Sequence, residues 1–182
     1  MALSLHVRST LPYTTAPVRT AEKMSSHGLV LWTIAVNPDA PLVDRVHWRL
    51  ADGRKPPMDI ALNQTTGTFQ EVTFFLQDEQ APRAKPQADS LRRMQGLPQF
   101  NTSLWSPGHY DVDEPGRAAF ALTGRDFQVT FEGTEPAVEL IDSGMIHFLL
   151  DAERRLVGLT LPQLTDDELQ TLMTAQVLAP AG

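Results

Sequence analysis

The chain has 182 residues, 42% of them hydrophobic, so it is long enough to bury a core and too apolar to be disordered throughout. It contains no cysteine, which excludes disulfide scaffolds, thiolate catalysis and iron–sulfur clusters. The longest apolar stretch, residues 29–36, is far shorter than the roughly 20 residues that cross a bilayer, so we expect no membrane partner. Because the first residues lack a basic and apolar secretion signal, the sequence predicts a cytoplasmic protein.

The net charge of −7 is unevenly distributed along the chain. Residues 96–182 hold 13 acidic and 4 basic side chains, whereas residues 1–95 hold 9 acidic and 11 basic ones. An acidic half repels nucleic acid and anionic membranes and favours a basic protein partner, although acidity also serves solubility alone. We therefore expect no nucleic-acid partner.

Alternation of apolar and polar residues predicts a series of strands in the first half of the chain. Residues 1–28 are rich in Thr, Ser and Pro and predict an N-terminal arm with one strand at 3–8. After them, further strands are predicted at residues 29–36, 43–50, 58–62 and 69–76. Asp89 then opens a predicted short helix over residues 89–95, which Gly96 ends.

The second half reads as hairpins followed by a helix. A loop rich in Pro, Gly and aromatic residues is predicted at 96–116. Hairpin strands follow at about residues 117–122, 127–131, 138–141, 145–150 and 156–161. Thr165 and Glu168 form a capping-box pattern that starts a helix over about residues 166–177.

These elements predict an α+β fold, mainly antiparallel β hairpins with a C-terminal helix. The predicted organisation is an N-terminal arm (1–28), a β-rich half with a short helix (29–95), a loop (96–116) and a β-hairpin half with the C-terminal helix (117–182), compatible with one compact domain. The sequence leaves the oligomeric state open.

Two predicted hairpins have similar sequences. Ile60-x-Leu62-Asn63 resembles Phe148-x-Leu150-Asp151 at an offset of 88 residues, and the returning strands match at an offset of 87. Duplication of a β-rich unit would explain this match, and so would the general likeness of half-buried hairpins, so two similar β-rich halves are one interpretation of two.

Common catalytic and cofactor motifs are absent from the sequence. It has no glycine-rich dinucleotide motif, no phosphate loop, no Gly-x-Ser-x-Gly elbow and no His-Glu-x-x-His. We therefore predict no cofactor, no resident metal and no catalytic residues.

The loop at 96–116 contains the candidate partner-binding residues. Aromatic side chains favour interface hot spots, and carboxylates beside them would meet Arg or Lys of a basic partner. The candidate residues are Trp105, Tyr110, Asp111, Asp113 and Glu114.

Two alternative sites remain open at this point. His109, Asp111 and Asp113 supply imidazole and carboxylate ligands for a divalent metal, which would make the protein a small metal- or ligand-dependent enzyme. A basic stripe of Arg45, His47 and Arg49 would bind a phosphate or carboxylate, or its members would pair across strands with Asp59 or Glu71.

One hairpin carries a resemblance to a known group of proteins. The segment Asp151-Ala152-Glu153-Arg154-Arg155-Leu156-Val157-Gly158-Leu159 resembles bacterial immunity proteins that neutralise polymorphic or contact-dependent-inhibition toxins. The resemblance implies a non-enzymatic protein that binds and blocks a basic toxin domain, and it carries no functional residue over to this chain. A structural oligomerisation domain is the third interpretation.

Overall fold

The computed structural model describes residues 3–24, 28–39, 44–54, 56–77 and 90–175. In chain order its elements are β1 (Val7–Leu11), β2 (Val18–Met24), β3 (Leu29–Ala35), β4 (Arg45–Ala51), β5 (Met58–Asn63), β6 (Phe69–Gln77), β7 (Arg92–Gln95), β8 (Leu97–Phe100), β9 (Asp111–Pro115), β10 (Ala118–Thr123), β11 (Asp126–Phe131), β12 (Glu139–Asp142), β13 (His147–Leu150), β14 (Leu156–Leu161) and α1 (Asp166–Ala175). The prediction of a mainly β fold with a C-terminal helix is confirmed.

Most strands belong to two six-stranded sheets. Sheet A has the order β2-β3-β6-β5-β4-β9 and sheet B the order β10-β11-β14-β13-β12-β7. Neighbours are antiparallel except at one edge of each sheet, where β9 runs parallel to β4 and β7 parallel to β12. The two sheets exchange edge strands. Strand β7 follows the first five strands of sheet A in the chain but joins sheet B, and β9 precedes the first five strands of sheet B but joins sheet A.

The core lies between the two sheets. On β4, Val46, Trp48 and Leu50 are buried while the alternate side chains point away, as period-2 alternation requires. Aromatic rings from the two sheets meet in pairs, with centroid separations of 5.8 Å for Trp32–Phe127, 5.9 Å for Trp48–Phe131, 5.8 Å for Phe74–Phe120 and 4.8 Å for Phe69–Phe148. The inner faces therefore form one continuous hydrophobic core.

The prediction of a short helix at residues 89–95 is wrong, because residues 92–95 form strand β7. The Arg92 N–H donates to Val138 O at 3.1 Å, and the Gly96 N–H donates to Asp142 O at the same distance. Gly96 has φ 141°, and a Cβ there would lie 2.3 Å from Leu11 O. This glycine permits close approach of β1 and does not end a helix.

The predicted arm and loop also contain strands. Within residues 1–28 lie β1 and β2, and within residues 96–116 lie β8 and β9. Strands β2 and β9 are sheet edges with many exposed polar side chains, so they lack the apolar alternation from which strands are predicted. Strand β3, which falls within the strand predicted at residues 29–36, fully buries one face and only partly covers the other.

Helix α1 begins with the predicted capping box. The Glu168 N–H donates to Thr165 Oγ1 at 3.2 Å, and the Thr165 N–H donates to Glu168 Oε2 at 2.8 Å. Glu168 also pairs with the buried Arg19 guanidinium of β2 at 2.7 Å. Burial alone would raise the pKa of Glu168, but the hydrogen bonds from Arg19 and Thr165 outweigh it and lower the pKa. Residues 176–177 of the predicted helix lie outside the described residues.

The aromatic layer predicts a large effect of truncating Phe127. We expect Phe127→Ala to lower the free energy of unfolding by about 3–5 kcal/mol, since its ring is fully buried against Trp32 and Phe74. Trp32→Phe should cost less, because the Trp32 indole N–H is buried without a hydrogen-bond partner and its removal offsets part of the lost packing. Urea unfolding measures both, and a cost below about 1 kcal/mol for Phe127→Ala would contradict the described core.

Candidate functional site

The basic stripe and the acidic residues predicted as separate sites lie on neighbouring strands. Strands β4 and β9 pair in parallel, with His47 opposite Asp111 and Arg49 opposite Asp113. These side chains all point away from the core, on the outer face of sheet A. The two alternatives derived from the sequence are therefore one cluster of charges.

Arg49 is the cation at the centre of this cluster. Its Nε donates to Asp59 Oδ2 at 3.0 Å and its Nη2 donates to Asp111 Oδ1 at 2.8 Å. Its Nη1 lies 3.7 Å from Asp113 Oδ1. One guanidinium thus serves three carboxylates, and the surroundings of Arg49 keep an excess of negative charge.

His47 and Arg45 pair with carboxylates of other strands of sheet A, Asp59 on the neighbouring β5 and Glu71 on β6 one strand further, as one of the sequence interpretations predicted. His47 Nδ1 lies 2.8 Å from Asp59 Oδ1, and Arg45 Nη1 lies 3.5 Å from Glu71 Oε1. The hydrogen bond to Asp59 raises the pKa of His47, against the opposing effect of burial. Burial would raise the pKa of Asp59, but hydrogen bonds from His47 and Arg49 lower it.

The exposed part of the cluster lies along edge strand β9. The side chains of Asp111 and Asp113 are 51% and 67% exposed, and Tyr110 just before them is 52% exposed. We call Tyr110, Asp111 and Asp113, with Arg49 and Asp59 behind them, the β9 rim. It presents carboxylates and one aromatic ring to solvent.

Trp105 and Glu114 have different positions from the rest of the predicted set. Trp105 is buried in the core, and its Nε1 donates to His47 O at 3.2 Å. Glu114 points inward from β9, where its carboxylate accepts hydrogen bonds from Trp48 Nε1 and from the Ser4 N–H, the latter at 3.0 Å. Glu114 therefore ties β9 to the core, whereas Trp105 bonds the backbone of β4. Only the alternation of β9 would have distinguished Glu114 from its neighbours.

A second charged cluster, which the sequence did not indicate, lies on the outer face of sheet B. Arg93 Nε lies 3.2 Å from Asp142 Oδ2, and His147 Nε2 lies 3.4 Å from Asp142 Oδ1. Burial lowers the pKa of His147, partly opposed by Asp142. The parallel pairing of β7 with β12 brings Arg93 here, and this non-local contact has no sequence signature.

The described residues show little that would hold a metal or a small molecule. Among them, no three His, Asp or Glu side chains form a group able to bind a metal ion, and this includes His109, Asp111 and Asp113. A small cleft of about 170 Å³ beside Asp151 and Arg155 is below the roughly 300 Å³ at which ligand pockets begin. No helix in the described ranges has the length and hydrophobicity to cross a bilayer.

The fold defines the protein as a sandwich of two six-stranded sheets with a charged rim at one edge. No model of a known protein family matches the chain, and no curated protein matches it. The argument for function therefore starts from the geometry of the rim.

Loss of the Glu114 carboxylate should destabilise the sheet beneath the rim. We expect Glu114→Ala to lower the free energy of unfolding by about 2–3 kcal/mol, because it leaves the fully buried Trp48 N–H without an acceptor. Ser4→Ala is the matched control, since it removes one donor and leaves Trp48 paired, and should cost about 1 kcal/mol or less. Equal costs in urea unfolding would contradict this role of Glu114.

The pairing of His47 with Asp59 predicts a pH-dependent contribution to stability. Because folding raises the pKa of His47 above its ordinary value of 6.5, its contribution is fully present below that pH and is lost as the pH rises through the raised pKa. The stability advantage of the wild type over His47→Asn should therefore be larger at about pH 5.5 than at about pH 8.5.

Titration of the histidine ring by NMR tests the cause of this shift. Asp59→Asn should lower the pKa of His47, since it removes the charged acceptor, and should leave that of His147 on the other sheet unchanged. An unchanged pKa of His47 in Asp59→Asn would show that Asp59 is not the cause.

Proposed function

We propose that this chain is a non-enzymatic protein-binding module whose β9 rim engages a basic protein. The observation that carries the proposal is the sharing of one guanidinium, that of Arg49, by Asp59, Asp111 and Asp113. The carboxylates outnumber the cation, and two of them are at least half exposed. An Arg or Lys of a partner would neutralise the carboxylate charge that Arg49 does not balance.

The rim combines the two features that a charged interface needs. The exposed carboxylates of Asp111 and Asp113 attract a basic surface from a distance and accelerate encounter. Tyr110 supplies a large apolar ring with a polar end, the side-chain type favoured at the centre of interfaces. Strand β9 is held to β4 along its length, so little ordering is required on binding.

The partner that we propose is a basic bacterial toxin domain, with this chain as its immunity protein. Support comes from the acidic second half, with 13 acidic against 4 basic side chains, and from the resemblance of residues 151–159 to immunity proteins. In the fold that hairpin is β13–β14, where the Asp151 side chain accepts from the Glu153 and Arg155 N–H groups at 2.9 Å each. The hairpin is thus a structural element, and the binding surface is proposed elsewhere.

We also propose that the two halves are copies of one five-stranded unit. The units are β2–β6 and β10–β14, and in both the strands lie side by side in the order first, second, fifth, fourth, third. Each sheet is completed by a parallel edge strand from outside its unit. The hairpins β5–β6 and β13–β14 have a register shift at matching places, before Leu62 and before Leu150. Asn63 and Asp151 then accept backbone N–H groups within equivalent loops.

Removing the rim charges should weaken capture of the basic partner. The wild type and Asp111→Asn/Asp113→Asn would be immobilised and exposed to lysate of the native cell, and bound proteins quantified by mass spectrometry. We expect one protein of positive net charge to bind the wild type and to be depleted from the variant. With that protein purified, association at low salt should slow by about tenfold, because steering depends on exposed charge.

Glu22→Gln/Glu132→Gln is the control for net charge. This double variant also removes two negative charges, but from exposed positions that are not part of the β9 rim. We expect it to capture the partner as the wild type does. Identical sets of captured proteins from wild type and rim variant would refute the β9 rim as the binding site.

A further inference from the structure

The four edge strands of the two large sheets differ in how they are protected against further pairing. Natural sheets block their edges with charged residues, proline or a covering element. Three edges follow this rule: β2 carries charged residues and packs against α1, β7 carries two arginines, and β9 carries three acidic residues and a proline. The fourth edge, β10, has the sequence Ala-Ala-Phe-Ala-Leu-Thr, without charge or proline.

The unpaired side of β10 carries a defined set of backbone groups. The Glu132 N–H donates to Arg117 O at 2.9 Å, so this pair is hydrogen-bonded, and alternation along the antiparallel ladder makes Ala119 and Ala121 hydrogen-bonded to β11 as well. The N–H and C=O groups of the intervening residues point to the free edge. Those residues are Ala118, Phe120 and Leu122, and within the described ranges nothing bonds to their backbone groups.

Strand β10 is held rigidly in a conformation suited to pairing. Its register with β11 runs from Ala118 to Thr123 without a bulge. Phe120 is 7% exposed and stacks on Phe74 and Phe127, with centroid separations of 5.8 and 5.9 Å. An incoming strand would therefore meet a preformed edge and pay no entropy for ordering it.

We propose that β10 is the site of self-association, at which a second copy of this chain pairs antiparallel through its own β10. Centred on Phe120, this pairing sets Ala118 opposite Leu122 of the other copy, so all three free-edge residues bond to one another. Leu122 is 40% exposed, and the small side chain of Ala118 leaves room for it. The strand carries no charge in a chain of net charge −7, so pairing through β10 sets no like charges of the two strands opposite each other.

Dimerisation should be weak and should depend on β10. A single strand pair buries little area, so we expect a dissociation constant on the order of 10–100 µM for the wild type by analytical ultracentrifugation. Leu122→Pro should abolish the dimer, because it removes a free-edge N–H without breaking the ladder to β11. Ala121→Lys should weaken it at least about tenfold by placing a charge at the edge.

Gln128→Lys is the matched control, since Gln128 lies directly opposite Ala121 on β11, is similarly exposed, and is not at the edge. It should dimerise as the wild type does. A monomeric wild type, a dimer that survives Leu122→Pro and Ala121→Lys, or equal loss in Gln128→Lys would each overturn the proposal.

Two measurements do not depend on how the proline variant folds. In the wild type, amide exchange at Ala118, Phe120 and Leu122 should slow about fivefold at concentrations that favour the dimer, while Ala119 and Ala121 stay unchanged. No slowing at the three free-edge amides would contradict the pairing. Slowing only when a basic protein is added would assign the edge to a strand of that protein and exclude the second copy.

Disulfide trapping tests the register, because the chain has no cysteine of its own. Pairing centred on Phe120 sets residue 119 opposite residue 121 of the other copy, in a non-hydrogen-bonded pair with Cα atoms about 4.5 Å apart, within disulfide range. Ala119→Cys mixed with Ala121→Cys should cross-link under mild oxidation, and each alone should cross-link far less. No cross-link in the mixture, or equal cross-linking of either variant alone, would refute this register.

Discussion

The layer of aromatic rings between the two sheets sets the direction in which the other strand side chains point. Once Trp48 packs on Phe131, at 5.9 Å between ring centroids, its neighbours His47 and Arg49 must point outward, because successive residues of a strand alternate between faces. A shift of one residue would exchange buried rings for charged groups, so the register of β4 is strongly determined. The charged outer face of sheet A is therefore a consequence of the core.

The exchange of edge strands between the sheets brings opposite charges together. Strand β9 comes from the segment before sheet B, yet it completes sheet A and sets Asp111 and Asp113 beside Arg49. Strand β7 does the converse and sets Arg93 beside Asp142 on sheet B. On sheet A the carboxylates around Arg49 outnumber it, and this excess of negative charge is what the proposed basic partner would meet.

Charge on the edge strands has two consequences. The acidic residues and proline of β9 keep other strands from pairing with it, because an added strand would cover the carboxylates of β9. The side chains of Asp111 and Asp113 stay exposed on this edge, as the proposed binding of a basic protein requires. Strand β10 lacks such protection and presents backbone groups, so the two sheets offer different kinds of surface at these edges.

The sequence by itself determined the elements whose signals are local. Alternation located β4, β5, β6 and the hairpins of the second half, and the pattern of Thr165 and Glu168 located the start of α1, because these structures are stabilised by residues close in the chain. It also identified Tyr110, Asp111 and Asp113 as candidate binding residues and Asp59 as a partner for the basic stripe.

Only the tertiary structure decided what depends on distant segments. The parallel pairings of β7 and β9 join strands about 45 to 65 residues apart in the chain, and a short segment such as 92–95 takes the strand conformation because β12 satisfies its backbone groups. The same pairings decided that Trp105 is buried and that Glu114 accepts from Trp48. They also made the acidic residues and the basic stripe one site, because hydrogen bonding between strands selects neighbours regardless of their separation in the sequence.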